Sequence, residues 1–157
     1  GGRADNIHTQ KRLLGIQKAM FEEQVPYNPG WVRYGAWDRE SGYEQAGPLV
    51  DAGVSAIFCL ADRMAGGGYD YLGEHGLRAG EDISITGFDN QDLSEYIRPA
   101  LTTMSLPLSE IGHKAAEMLL ERIGGEEKEA EAADEKAAEI KIPCSIVLRN
   151  SVKRKQP

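Results

Sequence analysis

At 157 residues, 41% hydrophobic and 27% charged, the chain has the size and balance of one ordinary folded domain. No apolar run approaches the roughly 18 residues that a membrane span needs. A net charge of −7 and a pI near 5.0 exclude the chain itself as a nucleic-acid surface, which needs a basic stripe to meet phosphates. Two cysteines, Cys59 and Cys144, without any Cys-x-x-Cys pair, argue against a disulfide scaffold and a structural zinc site and fit a reducing cytoplasm.

The N-terminal run Gly1-Gly2-Arg3-Ala4-Asp5 has no apolar stretch after its charge, so no secretion signal is expected. Leu13, Ile16, Ala19 and Met20 recur at helical spacing and predict a helix over Thr9 to Gln24, with Thr9 as N-cap. Pro26 and Asn28-Pro29-Gly30 end it. Trp31 to Gly35 reads as a short strand, and Ser41 to Asp51 as a second helix stopped by Gly53. Ser55 to Leu60 is a continuous apolar strand of the kind buried on both faces. A third helix runs from Asp62 to His75-Gly76, and Ile83 to Phe88 is the next strand. Alternating elements of these lengths imply an α/β fold, a parallel sheet with helices on both faces.

In such sheets ligands bind beyond the carboxyl ends of the strands. Those ends are Trp37-Asp38, Ala61-Asp62 and Asp89-Asn90. After Asp89 the order changes. Leu101 to Ser105 reads as a strand, and Pro107 opens a helix to about Ile123 whose Leu108, Ile111, Ala115, Met118 and Leu119 share a face. Glu126 to Glu139 carries seven acids against Lys128 and Lys136, and reads as an exposed charged helix or an insertion. Ile140 to Leu148 is a final strand, with Pro143 placing its start at an edge. A basic, polar tail follows.

Several signals carry no chemistry. Gly66-Gly67-Gly68 is not a dinucleotide fingerprint, because Tyr71 stands where the third glycine belongs. Asp89-Asn90-Gln91-Asp92 lacks the glycine and distal glutamate of a calcium loop. No Gly-x-Ser-x-Gly elbow exists. His75 and His113 have no partners at metal or catalytic spacing. No cofactor, metal or catalytic residue is expected.

The run Ala56-Ile57-Phe58-Cys59 followed by Asp62-Arg63-Met64-Ala65 resembles a signature of the lactose/galactose repressor family. So do Gly76 to Asn90, Arg98-Pro99-Ala100-Leu101-Thr102-Thr103, Arg12-Leu13-Leu14-Gly15 and Ile146 to Ser151. The resemblance covers nearly all of residues 5–151. It implies the C-terminal lobe of a two-lobed, periplasmic-binding-protein-like type I fold. Residues 1–106 would form the lobe, with its first strand truncated. Residues 107–125 would be a crossing helix that packs on an absent N-terminal lobe, 126–139 an insertion, 140–151 a strand returning to the lobe, and 152–157 a tail. The implied function is effector sensing, most simply of a sugar, by a cytoplasmic homodimeric repressor. DNA would be met only through a helix-turn-helix domain outside this chain.

The resemblance assigns effector binding to Arg12, whose fork suits paired hydroxyls or a carboxylate. Read from periodicity alone, Arg12 is a surface helix charge. Trp37 would stack on a sugar face, or serve as a rim aromatic. Asp89 would accept hydroxyls, or cap the turn after it. Asp62 would line the site, although capping the helix from Arg63 is the commoner use of such a residue. His8 would reach the cleft or stay on the surface. Ala61 stands where the family often places an asparagine. Gly66, Tyr96 and Ile97 would belong to the dimer interface, or the glycines to a loose helix start. Two rival readings are a transport-type periplasmic sugar-binding protein and a small hydrolase using Asp62 or Asp89 as base.

Overall fold

The computed structural model describes residues 1–124 and 139–153, so the expectation for most of the acidic run lies outside the described residues. These residues divide into two compact units. One holds residues 1–105 and 146–153, the other residues 106–124 and 139–145.

The first unit starts with helix α1 (Ile7–Glu22). Asn6, not Thr9, is its cap: the Asn6 carboxamide oxygen accepts from the backbone N–H groups of His8 and Thr9. A single 3₁₀ turn (Pro29–Trp31) and an extended stretch follow, then α2 (Arg39–Asp51), capped by Asp38 through the Ser41 N–H at 2.9 Å. Strand β1 (Ala56–Phe58), helix α3 (Asp62–Glu74) and strand β2 (Ser84–Thr86) form a β-α-β unit with a parallel register, Ile57 opposite Ile85. A short helix α4 (Leu93–Tyr96) leads to β3 (Thr103–Ser105). Parallel bridges Thr86–Thr102 and Asp89–Ser105 tie β3 to β2, and β4 (Ser145–Val147) pairs with β3. In the second unit, α5 (Leu108–Gly124) leaves Leu108, Leu119, Leu120 and Ile123 exposed.

The core lies between α3 and the sheet. Ala65, Leu72, Ile85 and Leu101 are at most 1% exposed. The three glycines of α3 explain how it packs on α2. A Cβ on Gly67 would lie 1.9 Å from the Arg39 carbonyl oxygen and 2.5 Å from the Tyr43 nitrogen, so the two backbones touch there. Gly66 is buried, and a Cβ there would meet Leu93 at 3.2 Å. Within the chain, Gly66 thus allows the close approach of Leu93. Tyr96 is 73% exposed, while Ile97 is half-buried against the core.

Two strand expectations fail for one reason. Residues 32–35 join no sheet among the described residues, although the Arg33 carbonyl accepts from the Gly1 amine at 2.7 Å, and β1 is not buried on both faces, since Ala56 and Phe58 are exposed. Between them runs an open groove of about 430 Å³. Leu13, Ile16 and Met20 of α1, Ala46 and Leu49 of α2, and Phe58 of β1 line it. A backbone becomes a strand only where a second edge takes its hydrogen bonds, and the groove holds these two edges apart.

Candidate functional site

A cleft of about 330 Å³ opens where α1 begins and the strands end, lined by Asn6, His8, Arg12, Trp37, Ala61, Arg63, Asp89 and Gln91. Arg12, Trp37, Asp89 and His8, singled out in the sequence, thus come together on one cavity. The structure adds Asn6, Arg63 and Gln91, which sequence reasoning misses. Their only signal is positional, each lying within two residues of a strand end or helix start.

Arg12 is the centre of the cleft. It lies one turn into α1, half-buried, and donates from its guanidinium to the Leu60 carbonyl. The guanidinium carbon sits 3.9 Å from the centroid of the Phe88 ring and 5.3 Å from that of Trp37. Flat cations stack well on aromatic faces, which fixes the fork in orientation. Its nearest carboxylate oxygen, on Asp89, is 3.9 Å away. At that distance the pair attracts without closing into a hydrogen-bonded ion pair.

Trp37 adopts a left-handed backbone, φ 67°, and its indole lies across Gly2. A Cβ on Gly2 would fall 1.9 Å from the ring, so only glycine admits the indole. Asp89 and Asn90 also have positive φ, 110° and 54°. Three non-glycine residues in this costly region sit in two loops beside one cavity, one before α2 and one after β2. Such strain persists only where surroundings over-determine it, and it clusters at binding sites. Burial raises the Asp89 carboxyl above its ordinary pKa; the Arg12 charge opposes this and Asp62 adds to it.

Asp62 is placed differently from both expectations. It is 0% exposed, so it does not reach the cleft. Nor does it cap α3, whose N-cap is Ala61 with no side-chain bond. Its carboxylate accepts from the Thr103 hydroxyl at 2.6 Å and from the Gln91 N–H at 2.7 Å, tying β3 to the loop that carries Asp89. Burial raises its pKa, while these hydrogen bonds and the Arg149 charge lower it. Arg149 holds the far side of the loop through the Asn90 side chain at 2.9 Å and the Leu101 carbonyl at 2.8 Å. The Asp89 side chain does not cap α4, which has no side-chain cap.

Asp62→Ala is expected to leave the buried Thr103 hydroxyl and the part-buried Gln91 N–H without their acceptor, at a cost of about 1–3 kcal/mol for the buried one. Chemical denaturation should register that loss. Ligand affinity should fall with it, because the Asp89 loop loses its anchor. A variant as stable as the parent would contradict the anchoring role.

Among the described residues there is no group of three or more His, Cys, Asp or Glu able to hold a metal, and no helix long and apolar enough to cross a membrane. The cleft offers a stacked guanidinium, an indole face, a carboxylate and amides. Chemically, that set suits a small polar molecule with an apolar ring face.

Comparison with known proteins identifies the fold and family. The periplasmic binding protein-like domain matches residues 1–152. The HTH-type transcriptional repressor PurR of Pasteurella multocida is 38% identical over 154 residues, which is 97% of this chain and 44% of that protein. A LacI family transcriptional regulator from Enterococcus faecium, solved with bound ribose, superposes with a TM-score of 0.76 at 33% identity, over 92% of this chain and 52% of its own. The lac repressor dimer bound to operator and an anti-inducer superposes at 0.81 with 26% identity, over 98% and 51%. The chain spans less than half the length of the curated relatives it matches.

Proposed function

We propose, from the premise that this chain belongs to the periplasmic binding protein-like domain family in the form carried by LacI-family regulators, that it senses a sugar-like effector for a transcriptional repressor. One observation carries the reading: His8 and Arg12 of α1, Trp37 before α2 and Asp89 after β2, from three separate segments of the chain, line a single cleft. Trp37 stacks on the guest's C–H face, Arg12 and Asp89 hold its hydroxyls, and no covalent step occurs. The repressor names of the relatives favour regulation over transport.

On this reading the rest of the polypeptide supplies the second wall of the cleft and the DNA-reading domain, and covers the exposed apolar residues of α5. The protein works in the cytoplasm as a homodimer, with Tyr96 at the surface between copies. A ligand shifts such a molecule only by binding one lobe arrangement better than the other, a coupling worth about 1–3 kcal/mol. The test is a thermal-shift screen of sugars on the full-length protein, followed by operator affinity with and without each hit. A sugar that raises the melting temperature and changes operator affinity supports the reading. A set of sugars that does neither removes it.

A further inference from the structure

Arg63 stands out from the rest of the cleft. It lies in the first turn of α3, where the helix dipole disfavours a cation. Ala61, at the N-cap of that helix, gives the terminus no side-chain acceptor. Among the described residues Arg63 has neither an ion-pair nor a hydrogen-bond partner, although the chain as a whole is strongly acidic.

The other charges near it are already matched. Asp89 faces Arg12. Asp62, beneath the floor, is satisfied by Thr103, Gln91 and the charge of Arg149. The hydrogen-bonding inventory leans the same way. The carboxamide oxygen of Asn6 is spent on capping α1, which leaves its NH₂ group as a donor. Arg12 and Arg63 are donors only, and among the described residues Asp89 is the one charged acceptor on the cleft wall. A guest that covers this wall must bring acceptors, and burying the spare guanidinium without an anion would be costly.

We propose that the effector is an acidic sugar, a polyol bearing one carboxylate or phosphate, whose anionic group is held by Arg63 while its hydroxyls meet Arg12 and Asp89. This rests on the effector reading above and narrows it. The discrimination lies in Arg63: a neutral sugar fills the same cleft but leaves that guanidinium unanswered.

The test is calorimetric titration of the full-length protein with ribose and glucose, with gluconate and glucuronate, and with ribose 5-phosphate and glucose 6-phosphate, repeated on Arg63→Gln. Arg63 is exposed, so the variant should fold, which circular dichroism checks. The expected result is that a carboxylate or a phosphate sugar binds at least about tenfold tighter than its neutral parent, equivalent to about 1.4 kcal/mol. Arg63→Gln should erase that ratio, bringing the acidic sugar's affinity down to that of its neutral parent measured on the same variant. Which acidic series binds tells carboxylate from phosphate. A neutral sugar binding as tightly as its acidic counterparts, or a preference that survives Arg63→Gln, overturns the inference and leaves the effector reading standing. Failure of all six compounds to bind overturns both.

Discussion

Replacing Arg12 by alanine is expected to weaken effector binding about a hundredfold or more. The loss combines charge-assisted hydrogen bonds to the guest, each worth about 1.5–3 kcal/mol, with the stacked geometry that orients them. Arg12→Lys keeps the charge but not the planar fork over Phe88, so it should recover only a small part. The folded state should lose far less, because the side chain is only half-buried. Calorimetry on both variants separates the two effects. Binding should also depend on pH through Asp89. Its carboxyl is raised by burial, and it accepts hydroxyl hydrogen bonds best when ionised. Affinity should therefore be full near neutrality and fall as pH drops through that raised value, beginning higher than for an ordinary aspartate of about 3.9. Asp89→Asn should flatten the profile.

Gly67→Ala is expected to destabilise the fold by about 3 kcal/mol or more. Two effects compete. Alanine is the better helix former by about 1 kcal/mol, which favours the variant. Its Cβ, however, would sit 1.9 Å from the Arg39 carbonyl oxygen and 2.9 Å from the Gly42 carbonyl carbon, both backbone atoms. Backbone cannot rotate away as a side chain can, so α2 and α3 must separate along a contact that includes the Tyr43–Tyr71 ring pair and the Arg39–Asp70 ion pair. The collision wins. Gly73 in the same helix provides the control. A Cβ on Gly73 would have nothing within 4 Å, so Gly73→Ala should raise stability by up to about 1 kcal/mol. Urea midpoints moving in opposite directions for the two variants bear this out; midpoints moving together contradict it.

Much of the site is legible in the sequence because its parts are local. Arg12 lies near the start of a helix, Trp37 and Asp89 follow extended segments, and the motifs around them are contiguous. What stays hidden depends on distant partners. Asp62 reads locally as a helix cap, but its hydrogen-bond partners Gln91 and Thr103 lie 29 and 41 residues away. Gly66 to Gly68 announce a close helix approach without saying whether the other helix belongs to the same chain. Residues 31–35 have strand-forming side chains, yet whether they join a sheet is decided by the edge beside them, and that is no property of the segment. Arg63 reads in the sequence only as part of a motif, because its want of a partner shows only when its neighbours are in place.

The convergence of Arg12, Trp37 and Asp89 on one guest is tested most directly by nuclear magnetic resonance. The full-length protein, labelled at the Arg Nε, Trp indole and Asp carboxyl positions, is titrated with the sugar that gives the largest thermal shift. The three signals are expected to move together, with one shared midpoint. Movement of one signal without the others, or midpoints that differ, would contradict a common site.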